Sequence, residues 1–263
     1  MPFVSSQGQT QLYFEVQGKG KPILFIHPPG MGLVTFKLQQ PLSDQFQLVT
    51  FDLRGNGKSS SGSEPITIPL LARDILTILN KLALDRVIIC GYSNGGSIAL
   101  EFALENPDRV EGIILIGGFS EVNTFWLRSE FKLGIYTVKM KGISFLAKVL
   151  GLAHGTTKEY REEIEAYVKR TNPHILYEMY VKGLEYNCTN RLYQIKVPVL
   201  LVDGTLDLYM HSYQKLLEEK IQLTQKRLIP KARHQIPTKF ANDLNQIIYD
   251  FVCSLPFEHQ NRI

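Results

Sequence analysis

An α/β fold with a mostly parallel sheet, interrupted by a helical insertion, is the class that the sequence predicts. Three observations carry it. Short apolar runs alternate with longer segments of helical period. Most of those runs are apolar at nearly every position, as strands covered on both faces require. One long stretch in the second half holds no run of that kind.

Taken in chain order, residues 10–18 (TQLYFEVQG) alternate like a strand with one wet face. Residues 22–27 (PILFIH), 46–52 (FQLVTFD), 86–93 (RVIICGYS), 111–118 (EGIILIGG) and 197–204 (VPVLLVDG) read as buried strands. Residues 226–230 (KRLIP) form a shorter one. Helical spacing is predicted over 68–82, 95–105, 208–221 and 240–252; the second of these stops at ENPDR, where Pro107 cannot continue a helix.

Residues 121–190 break the rhythm with amphipathic stretches rich in Tyr, Lys and Leu. They are expected to form a helical cap, or lid, inserted into a core made of 1–120 and 191–263. Open α/β sheets bind ligands at the carboxyl edge of their strands, so a cap over that edge is favoured over a partner-binding module. Within it, residues 131–153 (FKLGIYTVKMKGISFLAKVLGLA) could lie on a membrane surface, with lysines on one side and Phe, Ile and Leu on the other. Packing on the core and lining an acyl pocket is the favoured account of those apolar residues. Residues 173–186 (PHILYEMYVKGLEY) read as another cap helix with aromatic residues available for substrate contact.

Bulk properties agree with such a domain. The 263 residues are 44% hydrophobic and 21% charged, which excludes disordered and low-complexity classes. A formal charge of +4, with basic and acidic residues interspersed, disfavours a nucleic-acid partner. Cys90, Cys188 and Cys253 are too few and too far apart for a zinc motif, and no His/Cys/Asp cluster has metal-ligand spacing. Free thiols, no signal-peptide pattern and no membrane-length apolar run lead to the expectation of a cytoplasmic protein without stable membrane insertion.

The sharpest motif is CGYSNGG, residues 90–96. It places Gly91-Tyr92-Ser93-Asn94-Gly95 between an apolar strand and a helix, the layout of a nucleophile elbow. A turn that sharp strains the serine backbone and lifts its hydroxyl above the sheet, and it needs small residues on either side. The helix that follows offers free N–H groups and its positive end to a developing oxyanion. A serine hydroxyl also needs a base, and the base an orienting acid. Asp207 in VDGTLDLYM and His234 in KARHQIP supply them in the chain order Ser, Asp, His.

With these residues in place, the chain resembles the α/β-hydrolase fold family over essentially its full length. The resemblance extends to FDLRGNGKSS, residues 51–60, which is similar to the family's Asp-x-Arg-Gly-x-Gly-x-Ser loop, and to LENPDRVEGIILIGG after the elbow. It implies Ser93 as nucleophile, His234 as general base and then acid, Asp207 as the orienting carboxylate, and the Asn94 N–H in the oxyanion hole. A serine at the elbow, rather than aspartate, argues against the haloalkane dehalogenase and epoxide hydrolase branches.

Asp203 is the rival to Asp207, but at a strand end it is expected to cap a turn. His211 is expected to face the surface or the cap, and solvent exposure is the expectation for His154, His174 and His259. His27 should hold its loop by hydrogen bonds, and Asp52 and Arg54 should pin the turn after their strand.

The loop FIHPPGMG, residues 25–32, departs from the family. Family members often read His-Gly-x-Gly or His-Gly-x-Pro there, and x usually gives the second oxyanion N–H. Here Pro29 falls on x and has no N–H. The expectation is that Gly30 or Met31 presents the missing donor; otherwise the hole holds one donor only.

The resulting expectation is a cytoplasmic serine hydrolase of small to medium apolar carboxylic esters, with a small-molecule substrate and no cofactor or metal. A C–C bond hydrolase, thioesterase, amidase or cofactor-free peroxidase would use the same triad. A small-molecule receptor with weak or no hydrolysis is the reading from another class, and Pro28-Pro29 is the feature that supports it. Natural substrate and oligomeric state stay open at this stage.

Overall fold

The apolar runs become strands of one sheet in the computed structural model, which describes residues 2–255. Its eight strands are β1 (Phe3–Ser6), β2 (Thr10–Gln17), β3 (Pro22–Ile26), β4 (Gln47–Phe51), β5 (Val87–Tyr92), β6 (Val110–Ile116), β7 (Val199–Gly204) and β8 (Thr224–Ile229). Their spatial order is β1-β2-β4-β3-β5-β6-β7-β8. β1 pairs with β2 and β2 with β4 antiparallel, and every later pair is parallel. β1 is an addition to the strands read from the sequence. Its four residues are exposed or half-buried and carry no apolar pattern.

The period-two alternation of a strand sends neighbouring side chains to opposite faces. In β3, Leu24 and Ile26 join the core on one face, beneath α1 (Ile68–Lys81) and α2 (Asn94–Glu105). Ile23 and Phe25 join the other, with α9 (Ala241–Ser254) and Phe36, Leu42 and Phe46 of the segment after β3. α1 starts where sequence chemistry says it should. Thr67 caps it by accepting the Leu70 N–H, and Pro69 sits in the first turn.

Four helices occupy the chain between β6 and β7: α3 (Phe125–Lys139), α4 (Ile143–His154), α5 (Lys158–Arg170) and α6 (Pro173–Glu185). Thr124, Thr157 and Asn172 cap α3, α5 and α6. At the root of the insertion Glu121 bridges to Asn187. The helices are fastened to the loops at the carboxyl edge: Tyr160 donates to the Val34 carbonyl at 3.0 Å, and the Asn172 N–H to the Gly55 carbonyl at 2.8 Å. This helical cap therefore covers the edge where β3, β5, β7 and β8 end.

Two helical expectations shift at their starts. Leu208–Met210 form a turn, and α7 begins at His211 and ends at Lys220. Residues 236–239 form a separate short helix, α8 (Ile236–Lys239), before α9. The cap helices also differ from expectation. Leu127, Phe131 and Val138 are buried, yet Trp126, Leu133, Phe145 and Leu152 stand exposed.

Candidate active site

Four loops at the carboxyl edge build the site. After β5 the chain turns through Ser93, whose φ of 53° lies in the left-handed region that L-residues avoid. The turn is held by the Ser93 N–H donating to the Ile116 carbonyl at 2.8 Å and the Gly96 N–H to the Ser93 carbonyl at 2.8 Å. It also depends on two glycines. A Cβ on Gly91 would meet Gly95 and Gly96 backbone across the turn, and one on Gly95 would run into the Ile26 carbonyl of β3.

The Ser93 Oγ lies 3.0 Å from His234 Nε2, and His234 Nδ1 lies 2.8 Å from Asp207 Oδ2. Asp207 is buried and His234 largely so, while the remaining edge of the imidazole faces a pocket. Tyr92 and Tyr209 lie against the His234 ring at centroid distances of 5.3 and 6.4 Å. Gly117, with φ 54°, backs the ring, and a Cβ there would meet His234 Cε1 at 2.7 Å. The backing glycine and the flanking tyrosines were not singled out from sequence. Tyr92 and Tyr209 adjoin Ser93 and Asp207 closely enough in the chain to have suggested a role.

Asp203, the rival carboxylate, reaches neither His234 nor any hydrogen-bond partner through Oδ1. Burial, with the Asp207 charge adding to it, pushes its pKa well above the ordinary range. His211 places its Nε2 3.0 Å from the Gly204 carbonyl, away from the pocket. His174 is exposed beside Glu178, and His259 lies outside the described residues.

His27 takes the expected loop-holding place. Its Nε2 accepts the Leu53 N–H at 3.0 Å, and its Nδ1 lies 2.8 Å from the Pro28 carbonyl and 3.1 Å from the Gly32 amide nitrogen. Burial lowers its pKa to about 4, so it is neutral. Asp52 accepts the Leu33 and Lys58 N–H groups, each at 2.8 Å. Arg54 departs from the expectation of pinning that turn, since its guanidinium grips Asp74 of α1 in a buried two-point pair.

The donors of the oxyanion hole divide. Asn94 opens α2, where an N–H has no partner inside the helix, and it lines the pocket beside Ser93. Pro28-Pro29-Gly30-Met31 form a β-turn with φ 88° at Gly30, as a type II turn demands. The Met31 N–H closes that turn on the Pro28 carbonyl at 3.3 Å, and the Gly30 N–H donates to Asn56 Oδ1 at 2.7 Å. Neither expected substitute for Pro29 is a free donor. The physical cause is local: the proline-glycine turn directs Met31 inward, and a buried asparagine from the next loop takes Gly30.

The pocket over Ser93 has a volume of about 210 Å³ and is lined mainly by apolar surface from Pro29, Met31, Leu127, Phe131 and Leu150. Glu130 reaches its rim and accepts from the Tyr209 hydroxyl at 3.0 Å. His154 corrects the expectation of solvent exposure. It is 5% exposed, lines the pocket and places Nδ1 3.2 Å from the Thr238 hydroxyl. Burial pushes its pKa down to about 3. A second cavity, lined by Glu15, Phe25, Lys58 and Tyr167, contains none of the triad. Among the described residues no cluster of three or more His, Cys, Asp or Glu could hold a metal ion.

Comparison with known proteins agrees with this architecture. Residues 21–133 match the family model described as alpha/beta hydrolase fold. A protein of Azorhizobium caulinodans named "Putative carbamate hydrolase RutD" is 26% identical over 226 residues, covering 82% of this chain and 84% of its own. An esterase from Exiguobacterium antarcticum superposes with a TM-score of 0.86 at 20% identity, covering 96% of this chain and 99% of its own. The enol-lactonase of Burkholderia xenovorans gives a TM-score of 0.85 at 22% identity, with coverage of 96% and 100%. With the serine elbow, the strand order and the cap in the places described, the chain has the α/β-hydrolase fold.

Proposed function

We propose that the chain is a serine hydrolase of small to medium, mainly apolar carboxylic esters. The observation that carries this reading is the unbroken line from Ser93 Oγ through His234 to the buried Asp207, opening onto an apolar pocket. Ser93 Oγ attacks the ester carbonyl carbon while His234 Nε2 takes the hydroxyl proton. Asp207 holds the opposite ring nitrogen and stabilises the imidazolium. The carbonyl oxygen becomes an oxyanion against the Asn94 N–H. As the tetrahedral species collapses, His234 returns the proton to the departing alcohol and an acyl-enzyme remains. Water then attacks that acyl carbon with His234 again as base, which releases the acid and restores Ser93.

The names of similar proteins support hydrolysis of a carboxylic acid derivative, among them esterases, a lactonase and a carbamate hydrolase. A pocket of about 210 Å³ favours a small acyl group. The test is turnover of chromogenic esters of graded acyl length by the wild type and by Ser93→Ala. Loss of turnover by a factor on the order of 10⁵ or more is expected in the variant. Equal turnover by both proteins would remove Ser93 from the mechanism.

One observation favours a second reading, a receptor that binds a small molecule and hydrolyses it slowly. The Met31 and Gly30 N–H groups are both engaged, which leaves the hole with one backbone donor. On that reading turnover by the wild type is weak or absent, while a bound ligand raises the melting temperature of both proteins.

A further inference from the structure

Eight of the sixteen large apolar side chains exposed among the described residues lie within 125–152, on α3 and α4. On α3 the inward face is Leu127, Phe131 and Val138. Trp126, Leu133, Tyr136 and Met140 recur at helical spacing on the opposite side and are 62–66% exposed. On α4 the inward face is Ala147, Gly151 and His154, and Phe145, Val149 and Leu152 form a stripe opposite it. These helices are therefore apolar on two faces, and the cap's own packing accounts for only one of them.

Charge distinguishes the same helices from the rest of the cap. On α5 and α6, Lys158, Lys169 and Lys182 each have a glutamate partner within 4 Å. On α3, α4 and the turn between them, Lys132, Lys141 and Lys148 are exposed and form no ion pair among the described residues. Residues 125–152 hold five basic residues and a single acidic one, Glu130, which is turned to the pocket rim and Tyr209.

We propose that this face docks on an anionic membrane surface, with the Trp126–Met140 and Phe145–Leu152 stripes entering the interface and the lysines meeting lipid headgroups. Side chains more than 60% exposed stand out from the surface, which suits a fluid layer. A second copy is a poorer occupant, because an isologous contact sets each lysine against the same cluster on its partner. This is adsorption, not spanning: among the described residues no helix is long and apolar enough to cross a membrane. The inner faces of the same two helices line the pocket, so docking brings Ser93 within about one helix diameter, roughly 10 Å, of the lipid. That an ester dissolved in the layer is the substrate rests on the hydrolase reading; the docking does not.

The chain holds one tryptophan, Trp126, so its emission reports this face alone. The test is co-sedimentation of the full chain, as wild type and as Ser93→Ala, with vesicles of phosphatidylglycerol and phosphatidylcholine. Expected are binding to the mixed vesicles but not to phosphatidylcholine alone, a blue shift of Trp126, and release at high salt. Leu133→Ser/Phe145→Ser/Leu152→Ser should bind more than about tenfold more weakly, as should Lys132→Glu/Lys141→Glu/Lys148→Glu. Both variants should retain their turnover of short soluble esters. Quenching of Trp126 by brominated acyl chains in the unmodified protein gives a reading independent of any variant. Absence of vesicle binding, binding without quenching, or a dimer that Leu133→Ser dissolves would each overturn the proposal. Failure of ester hydrolysis with binding intact would instead count against the hydrolase reading alone.

Discussion

The loops after β3 and β5 leave neighbouring parallel strands and reach the same pocket, yet they dispose of their backbone N–H groups in opposite ways. The β5 loop turns directly into a helix, so its first amide, that of Asn94, has no partner within the helix. The β3 loop runs through Pro28-Pro29-Gly30, which removes two donors and folds the next two inward, onto Asn56 and the Pro28 carbonyl. One loop is built to present a donor and the other to satisfy itself. The contrast teaches that a complete triad and a complete oxyanion hole are separate requirements, carried by separate loops.

Breaking the triad that serves the β5 serine should have the larger effect. Asp207→Asn leaves Ser93 and His234 in reach of each other but favours the wrong imidazole tautomer, and kcat for ester hydrolysis should fall by about 10⁴. A loss below tenfold would mean that Asp207 does not orient the base. On the β3 side the change runs the other way. Pro29→Ala keeps an allowed residue at the second position of the turn and restores an N–H at a residue that lines the pocket. Since one donor is worth on the order of 10² in kcat, a gain of about tenfold or more is expected from it, and none from Pro28→Ala. Steady-state kinetics on one ester compares all three, and an unchanged Pro29→Ala would show that the β3 loop contributes nothing to the hole.

The smallest effect concerns the cap residue that closes over both loops. His154 is held neutral with its pKa lowered to about 3, whereas in an unfolded chain it titrates near 6.5. Between those values the unfolded state binds the extra proton, so this group's contribution to stability is lost as pH falls through that window. His27, lowered to about 4, acts in the same direction. Asp52, raised to about 6, binds its proton in the folded state first and opposes them as pH falls through 6. His154→Gln should therefore lose about 2 kcal/mol less stability than the wild type between pH 6.5 and pH 4.5. Urea unfolding at the two pH values measures it, and parallel losses would place His154 outside the acid response.

The parts of the site that could be read in the chain were those set by local chemistry. Gly91 and Gly95 flank a serine that must adopt positive φ, and the order of Ser93, Asp207 and His234 follows the order of the strands. Choosing between Asp203 and Asp207 depended on which carboxylate the turn after β7 swings toward His234, and both carboxylates are buried. Gly30 and Met31 were misjudged because their acceptors depend on a turn's handedness and on Asn56, 26 residues along the chain. His154 was misjudged because its burial depends on α4 folding back over α8 and the pocket.

Periodicity along the chain was enough to establish a covered parallel sheet, a helical insertion and a serine elbow, because each is imposed within a few residues by backbone sterics and the alternation of side chains. Long-range contacts settled which amides are free, which histidine is buried and which side of α3 and α4 meets the core. Hydrophobic spacing alone marks a helix as two-faced or one-faced only when its neighbours are known. That is why the apolar residues of the cap could be counted from the sequence, while their division between a pocket wall and an open surface emerged only with the fold.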